Sequence, residues 1–377
     1  MEDKFIKVDL HIHTPASPCY KGSKTDPTEY MKILRKALEE KIEVIAFTDH
    51  NSISGYKQLL SIHDDLKREK KYLLPIKDSK QAQDRLVEIE EDLQTFNSLL
   101  VLPGVEFQTS NSAHVLVIFD PKYDVSVIEK FLIDAGFDIE SKDVNDSISR
   151  WCILDLLNNS SRYNCFCIDA HTDSDKGLYK TLIGKTRGLA FSNIQLKAIA
   201  YKSQDTISKI EALLTNREFK RIDQLSFVKF SDAHSVDTIG KHYTWMKLEP
   251  ITYESIKVAL GNPIECISIE EPETAKIINN LINDSKSVYV EKFDDYESIT
   301  KSVIALANSE GGYCLIGVNE NGGCKGVDYL PCKEDYDALI KQISPLWVTS
   351  SELLTSFNYY ELQGKKYLIS INPTLPL

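Results

Sequence analysis

The 377-residue chain is 42% hydrophobic and 27% charged, the composition of a globular protein long enough for two cores. No run approaches the roughly 20 apolar residues of a membrane span, and the opening residues lack the basic, apolar and small-residue sections of a secretory signal, so a cytoplasmic location is expected. The net charge of −12 excludes a protein that coats nucleic acid nonspecifically, because neutralising phosphate needs lysine and arginine; a nuclease stays open, since bound divalent metals add charge that a formal count omits.

A strand is predicted over 5–13, then a helix over 27–41, with Met31, Leu34, Ala37 and Leu38 at helical spacing behind the start signal Asp26-Pro27. A strand over 43–48 follows. Residues 60–98 interrupt the rhythm with mixed charge runs such as Lys67-Arg68-Glu69-Lys70-Lys71, and read as a solvated helical insertion or as an arm that contacts a partner. Further strands are predicted over 99–103, 113–119, 164–170, 227–231 and 264–267, with helices over 125–135, 147–158, 205–214 and 252–260. This alternation predicts an α/β fold with a mostly parallel sheet closed as a barrel. Eight scattered cysteines fit a reduced compartment. Cys165 and Cys167 read as one face of a buried strand, with a metal clip as the alternative.

The character changes at Glu270-Glu271-Pro272-Glu273. Beyond it, helices over 274–284, 297–309 and 334–343 and strands over 288–293, 313–318, 356–361 and 366–372 predict a smaller α+β module. The expected domains are therefore 1–268 and 274–377.

Six of the eight histidines sit beside an acid or another histidine at the end of an apolar run: Asp9-Leu10-His11-Ile12-His13, Thr48-Asp49-His50, Ala113-His114, Asp169-Ala170-His171 and Ser231-Asp232-Ala233-His234. Glu106, in Gly104-Val105-Glu106, falls between the second and third. Imidazole and carboxylate suit zinc, manganese and iron. Strand alternation places Ile6, Val8, Leu10 and Ile12 on one face, packed outward against helices, and Asp9, His11 and His13 on the other, facing inward. The same parity pairs Asp232 with His234 and Asp169 with His171. Strand ends converge at the C-terminal mouth of an α/β barrel, which is where such folds build active sites.

The ordered series His-x-His, Thr-Asp-His, Gly-Val-Glu, His-Val-Leu, Asp-Ala-His and Ser-Asp-Ala-His resembles the PHP (polymerase and histidinol phosphatase) superfamily over about residues 5–265. The resemblance implies a distorted (β/α)7 barrel, up to three divalent metals (Zn, Mn or Fe) and metal-dependent hydrolysis of phosphoester bonds. Carried over residue by residue, the ligands are His11, His13, His50, Glu106, His114, His171, Asp232 and His234, with Asp232 and His234 in the catalytic centre. Where the family usually offers an Asp or His soon after His-x-His, this chain has Cys19: either the thiolate substitutes as a ligand or that metal is weakly held or missing. Asp9 and Asp49, one step outside, either orient imidazoles or serve structure alone. Lys21 and Arg187 are candidates to grip substrate phosphate, against the plain reading of surface charges. His242 either donates a proton to a leaving group or packs beside Tyr243 and Trp245.

Ala305-Leu306-Ala307-Asn308-Ser309-Glu310-Gly311-Gly312-Tyr313-Cys314-Leu315-Ile316-Gly317-Val318, with Asn321-Gly322-Gly323 and Gly326-Val327 after it, resembles the Schlafen-like AlbA_2-type domain over about residues 275–372. That resemblance implies binding of ATP or nucleic acid. Glu310, Gly311 and Gly312 form either a tight turn that lets backbone approach a phosphate or a simple structural turn; Glu291 is a second acidic residue of interest. The combined expectation is a nuclease acting on RNA or DNA in phage defence. Its rivals are a small-molecule or nucleotide phosphatase and a non-catalytic regulator that senses a nucleotide or binds a partner. A partner protein or homo-oligomer through the C-terminal domain is expected, and no membrane.

Overall fold

Nine strands make up the first sheet: β1 (Phe5–Ile12), β2 (Ile42–Phe47), β3 (Leu100–Gln108), β4 (His114–Ile118), β5 (Phe166–Asp169), β6 (Leu196–Ala200), β7 (Ser226–Val228), β8 (Thr244–Lys247) and β9 (Ile267–Ser268). The computed structural model describes residues 5–76, 79–141, 144–221, 224–270, 272, 287–290, 295–307, 312–316, 356–362 and 365–372. The strand order is β7-β6-β5-β4-β3-β2-β1-β8-β9. Beyond β7 the chain continues to Ala233, which bridges Ile12 in parallel. His13 N donates to Ala233 O at 2.9 Å and Ala233 N to His11 O at 3.2 Å. Seven strands, β1 to β7, thereby return on themselves as a distorted (β/α)7 barrel, while β8 and β9 extend the sheet from β1.

The distortion has a local cause. β4 runs antiparallel to both neighbours, β3 and β5, whereas β1/β2, β2/β3, β5/β6 and β6/β7 are parallel. Only Thr109–Ala113 separates β3 from β4; Thr109 N donates to Ala113 O at 2.9 Å, and Ser112 turns the chain at φ 63°. So short a link makes a hairpin, since a parallel crossover needs a dozen residues or more.

Two apolar clusters line the barrel wall. Inside, Ile6, Val8 and Leu10 meet Val44, Leu102, Leu116, Ile168 and Val228, closed off by Tyr253, Ile256 and Leu260 of the helix Tyr253–Ala259 and its end. Outside, Ile45, Phe47, Val105, Phe107 and Ile199 pack on helices, including Ile33 and Leu34 of Thr28–Glu39. The expected alternation on β1 is therefore corrected in two ways. Ile6, Val8 and Leu10 fill the barrel interior instead of facing helices, and Ile12 belongs to the outer cluster. An irregularity in the β1/β2 register between Asp9 and Ile12 resets the parity, so that the residues after it turn with respect to those before it.

The charged insertion is a helical hairpin, Ser54–Leu73 and Lys80–Asn97, that begins earlier than expected. Few of its side chains are buried, and Arg85 holds Glu69 through two hydrogen bonds of 2.8 Å, as a solvated pair of helices would. Residues 263–266 form a short helix, Pro263–Cys266, and not a strand, because Asn262-Pro263 starts a helical turn. The helix expected over 147–158 begins only at Ile153. β6 and β8 were not anticipated; both are short, and Leu-Lys-Ala-Ile-Ala in β6 carries little β-branched signal.

The chain divides into two units, one of residues 6–270 and one built from residue 271 onward. In the second, β10 (Ser287–Val290), β11 (Gly312–Ile316), β12 (Ser356–Leu362) and β13 (Lys365–Asn372) lie in the order β10-β11-β13-β12. β10 and β11 are parallel and joined through the helix Tyr296–Ala307, while β13 runs antiparallel to β11 and β12. The helices expected over 274–284 and 334–343 and the motif Asn321-Gly322-Gly323 lie outside the described residues. Among the described residues no helix is long and apolar enough to cross a membrane.

Candidate metal centre

Each strand end delivers its polar residues by a distinct local device. On β1, Asp9 Oδ1 accepts from His11 N at 3.3 Å and from Ser231 N at 3.1 Å, tying the bulge to the segment after β7. After β2, His50 and Glu106 form a parallel bridge, with Glu106 N donating to Asp49 O at 3.0 Å and Asn51 N to Glu106 O at 3.0 Å. His114 opens β4, and its carbonyl accepts from Ala170 N at 3.3 Å, which brings the residue before His171 alongside. Asp232 adopts a left-handed φ of 50°, a conformation that Asp tolerates better than most residues. That turn places both its carboxylate and His234 at the mouth.

The side chains meet around Glu106, which is 1% exposed. Its Oε2 lies 3.4 Å from His11 Nε2, 3.2 Å from His13 Nε2 and 3.2 Å from His50 Nδ1. Its Oε1 lies 2.7 Å from His114 Nδ1 and 3.8 Å from His171 Nε2. Asp232 Oδ1 approaches His11 Nε2 at 3.3 Å and His13 Nε2 at 3.4 Å. His234 Nδ1 is 2.7 Å from the Asp232 carbonyl; since a carbonyl only accepts, Nδ1 carries a proton, and in the neutral ring Nε2 has the lone pair. Three groups have ligand atoms within 4.8 Å of one another: His13, Cys19, His50 and His234; His11, His13 and Asp232; and His50, Glu106 and His114.

Charges in this cluster depend on each other. Burial pushes Glu106 up, yet the charge of His11 beside it, the hydrogen bond with His114 and the close approach of His13 hold it well below the usual carboxylate range. Burial pushes His13 down, but Asp232, Cys19 and Glu106 raise it well above an ordinary histidine. Burial also opposes ionisation of Cys19, and the imidazoles of His13, His234 and His50 around its sulfur overcome it, lowering the thiol to about 3. His171 goes the other way: burial lowers it to about 4.

The donor set fits divalent metal ions. His11 and His13 are essentially unexposed, and both nitrogens of each ring, with Glu106 Oε2 and His171 Nδ1, lack a hydrogen-bonding partner. Buried polar atoms left unpaired at this density would be costly, and coordination is the bonding that imidazole and carboxylate share.

All nine residues expected as ligands, Cys19 included, are gathered at this mouth. Asp49 instead accepts from Thr14 N at 2.8 Å and Thr14 Oγ1 at 2.7 Å, and Gly55 packs so close that a Cβ there would stand 2.2 Å from Asp49 Oδ2. Asp9 and Asp49 thus hold backbone N–H groups and the Thr14 hydroxyl, not imidazole. Lys21 donates its backbone N–H to His234 O at 2.7 Å and exposes its side chain. Arg187 donates to Leu182 O at 2.7 Å and lies 4.4 Å over the Tyr179 ring. His242 is exposed, and the neighbouring Tyr243 and Trp245 rings meet edge to face. Glu291, Glu310 and Gly311 lie outside the described residues, and Gly312 opens β11. One positioning residue escaped the sequence reading: Asn51 accepts from Gln108 N at 2.8 Å and donates to Ser147 O at 2.8 Å. Its signal was an Asn directly after Thr-Asp-His, at a left-handed φ of 49°.

Fold and site together define a seven-stranded α/β barrel with a buried histidine–carboxylate cluster at its mouth. In the second unit, residues 281–374 match the profile of the family described as Schlafen, AlbA_2. No curated protein matches the chain. Among solved structures the chain is similar to an Endonuclease Q in complex with a 27-mer duplex bearing an abasic lesion at the active site, at 14% identity and a TM-score of 0.46 over 70% of this chain and 58% of that one. It is similar to the lesion-specific endonuclease PfuEndoQ from Pyrococcus furiosus, at 15% identity and a TM-score of 0.46 over 68% and 56%. PsfC from Pseudomonas syringae follows at 16% identity and a TM-score of 0.41 over 72% and 93%. The chain thus spans less than two thirds of both endonuclease Q proteins, and likeness at this level carries no argument about activity.

Proposed function

We propose that residues 6–270 form a PHP-type metal-dependent phosphoesterase whose substrate is RNA or DNA. The observation that carries the reading is the set of interlocking ligand groups around Glu106, with the buried nitrogens of His11 and His13 unpartnered. His11, His13 and Asp232 would hold one ion, and Glu106 with His50, His114 and His171 would hold a neighbouring one. Divalent ions bound there lower the pKa of water toward neutrality and neutralise charge building on a phosphoryl group.

The chain's own contribution is placement. Glu106 is enclosed, whereas the Asp232 side chain is 41% exposed, so Asp232 is the carboxylate that faces an incoming substrate. His234 is oriented by its bond to the Asp232 carbonyl. Lys21, exposed beside His234, and Arg187 are assigned to substrate phosphate. Nucleic acid as the substrate class is supported by the fused Schlafen AlbA_2-type segment, an association between modules and not a site geometry. ATP is proposed as a ligand of that segment near Glu310, Gly311 and Gly312, and phage defence as the cellular role.

The test is metal analysis of the purified full chain beside a panel of mononucleotides, single strands and duplexes, with the double variant Asp232→Ala, His234→Ala as control. Strand cleavage that the double variant lacks is the expected result. Release of inorganic phosphate from monoesters with strands left intact would replace the nuclease by a phosphatase. Cleavage retained by the double variant would refute the assigned site.

A further inference from the structure

The cluster's donors are not chemically uniform. Two of its three ligand groups combine imidazole with a carboxylate, Asp232 in one and Glu106 in the other; the remaining group, His13, Cys19, His50 and His234, has a sulfur and no carboxylate. Cys19 is half-buried, with Ser17 Oγ 3.1 Å from its sulfur. Opposite it stands His13, fully buried with neither ring nitrogen in a hydrogen bond. His234 directs Nδ1 to the Asp232 carbonyl, which leaves Nε2 to serve as the ligand atom.

Sharing of donors adds a constraint. His13 also belongs to the Asp232 group and His50 to the Glu106 group, while Cys19 and His234 belong to the sulfur group alone. One lone pair serves one ion. Removing Cys19 should therefore empty one position and leave the carboxylate positions their full donor sets. Thiolate is a soft ligand that selects zinc-like ions, whereas carboxylate suits manganese and magnesium.

We propose that the centre is divided by ligand softness: Cys19 and His234, the two donors that belong to the sulfur group alone, retain one thiophilic ion of the zinc class, while the positions at Glu106 and Asp232 accept and exchange harder ions of the manganese class. Binding forms a sulfur–metal bond from the Cys19 thiolate, any protons on the ligating imidazoles leave to solvent, and no oxidation state changes. The inference rests on the metal-dependent reading above, but its readouts do not depend on turnover.

The full chain is stripped with chelator and titrated with cobalt(II). A thiolate-to-cobalt charge-transfer absorption is expected, saturating at one equivalent and absent in Cys19→Ser and Cys19→Asp. After dialysis against excess manganese with trace zinc, the wild-type chain should keep one zinc, and Cys19→Asp should hold manganese in its place. Alkylation of the Cys19 peptide by iodoacetamide, read by mass, should be blocked by one equivalent of zinc. A cobalt spectrum without the sulfur band, equal zinc retention in Cys19→Asp, or unhindered alkylation of the zinc-loaded chain would each overturn the proposal. An active chain lacking the sulfur band sinks this inference alone; an inactive chain that shows the band sinks only the phosphoesterase reading.

Discussion

The two ends of the barrel interior use the same strands for opposite purposes. On β3, Leu102 contributes to the apolar lumen while Glu106, four residues on, is the hub of the cluster; both are essentially unexposed. On β1, Ile6, Val8 and Leu10 fill the lumen, and beyond the bulge His11 and His13 reach the mouth. The lumen is satisfied by packing alone, at about 25 cal/mol per Å² of apolar surface removed from water. The mouth leaves buried nitrogens and oxygens unpaired, a state that packing cannot relieve. The stability of one end and the function of the other are separable, and mutations can pull them apart.

The strongest separation should come from Glu106→Gln. Metal content should fall and turnover should drop by about three orders of magnitude, on the scale of removing a key charge-stabilising group, while far-UV circular dichroism stays that of the folded chain. Elemental analysis beside kinetics reads both.

At the other end, Leu102→Ala should cost about 2–5 kcal/mol in urea unfolding with metal stoichiometry intact in the remaining folded protein. Loss of metal in proportion to the lost stability would mean that the two ends are one cooperative site.

A pH series sharpens the contrast. His13, His50 and His234 are all raised above ordinary histidine values, the first two by Cys19 and carboxylate neighbours against burial, the last chiefly by Cys19. In the metal-free chain their protonated forms favour folding below the unfolded histidine pKa, a contribution lost as pH rises through the folded values. A metal ion needs them deprotonated, so its binding displaces protons and affinity has the opposite slope. Zinc affinity should fall by about tenfold per pH unit for each proton displaced between pH 8 and 6, as measured by competition with a chelating dye. A flat profile would mean that these histidines are not ligands. The packing of the lumen carries no such slope.

The smallest effect is expected at Gly55→Ala, which replaces none of the metal donors. The added methyl would press on Asp49 and Thr14, costing about 1–3 kcal/mol and disturbing the turn that presents His50. A modest loss of metal affinity with unchanged lumen packing is the expected pattern, read by thermal unfolding with and without zinc.

Much of the centre was legible in the chain because metal chemistry restricts residue types. Imidazoles at the ends of apolar runs, with Asp232 and Glu106, marked eight of the side chains that the fold gathers at the mouth, while Cys19 entered only through the family resemblance. The strand expected over 99–103 in fact runs on to Gln108, and there Glu106 and His114 lie inward while Val105, Phe107 and Val115 pack in the outer layer. Three things did not follow. Parity on β1 failed because a bulge inserts a local shift that no residue type announces. β4 was expected in a mostly parallel sheet, but the five-residue link before it makes a hairpin. Asp9 and Asp49 looked equally suited to imidazoles and to backbone, and only the partners at Ser231, His11 and Thr14 decided between them.

The sequence by itself determined the alternating α/β architecture, the donor inventory and the charged helical insertion, since periodicity, ligand chemistry and solvation are properties of short segments. Tertiary structure alone decided how the barrel closes through Ala233 onto Ile12, which face of β1 looks inward, and that Cys19 stands among His13, His50 and His234. Those outcomes depend on backbone hydrogen bonds and packing between residues more than two hundred positions apart, such as Asp9 with Ser231, and no local pattern encodes such a distance.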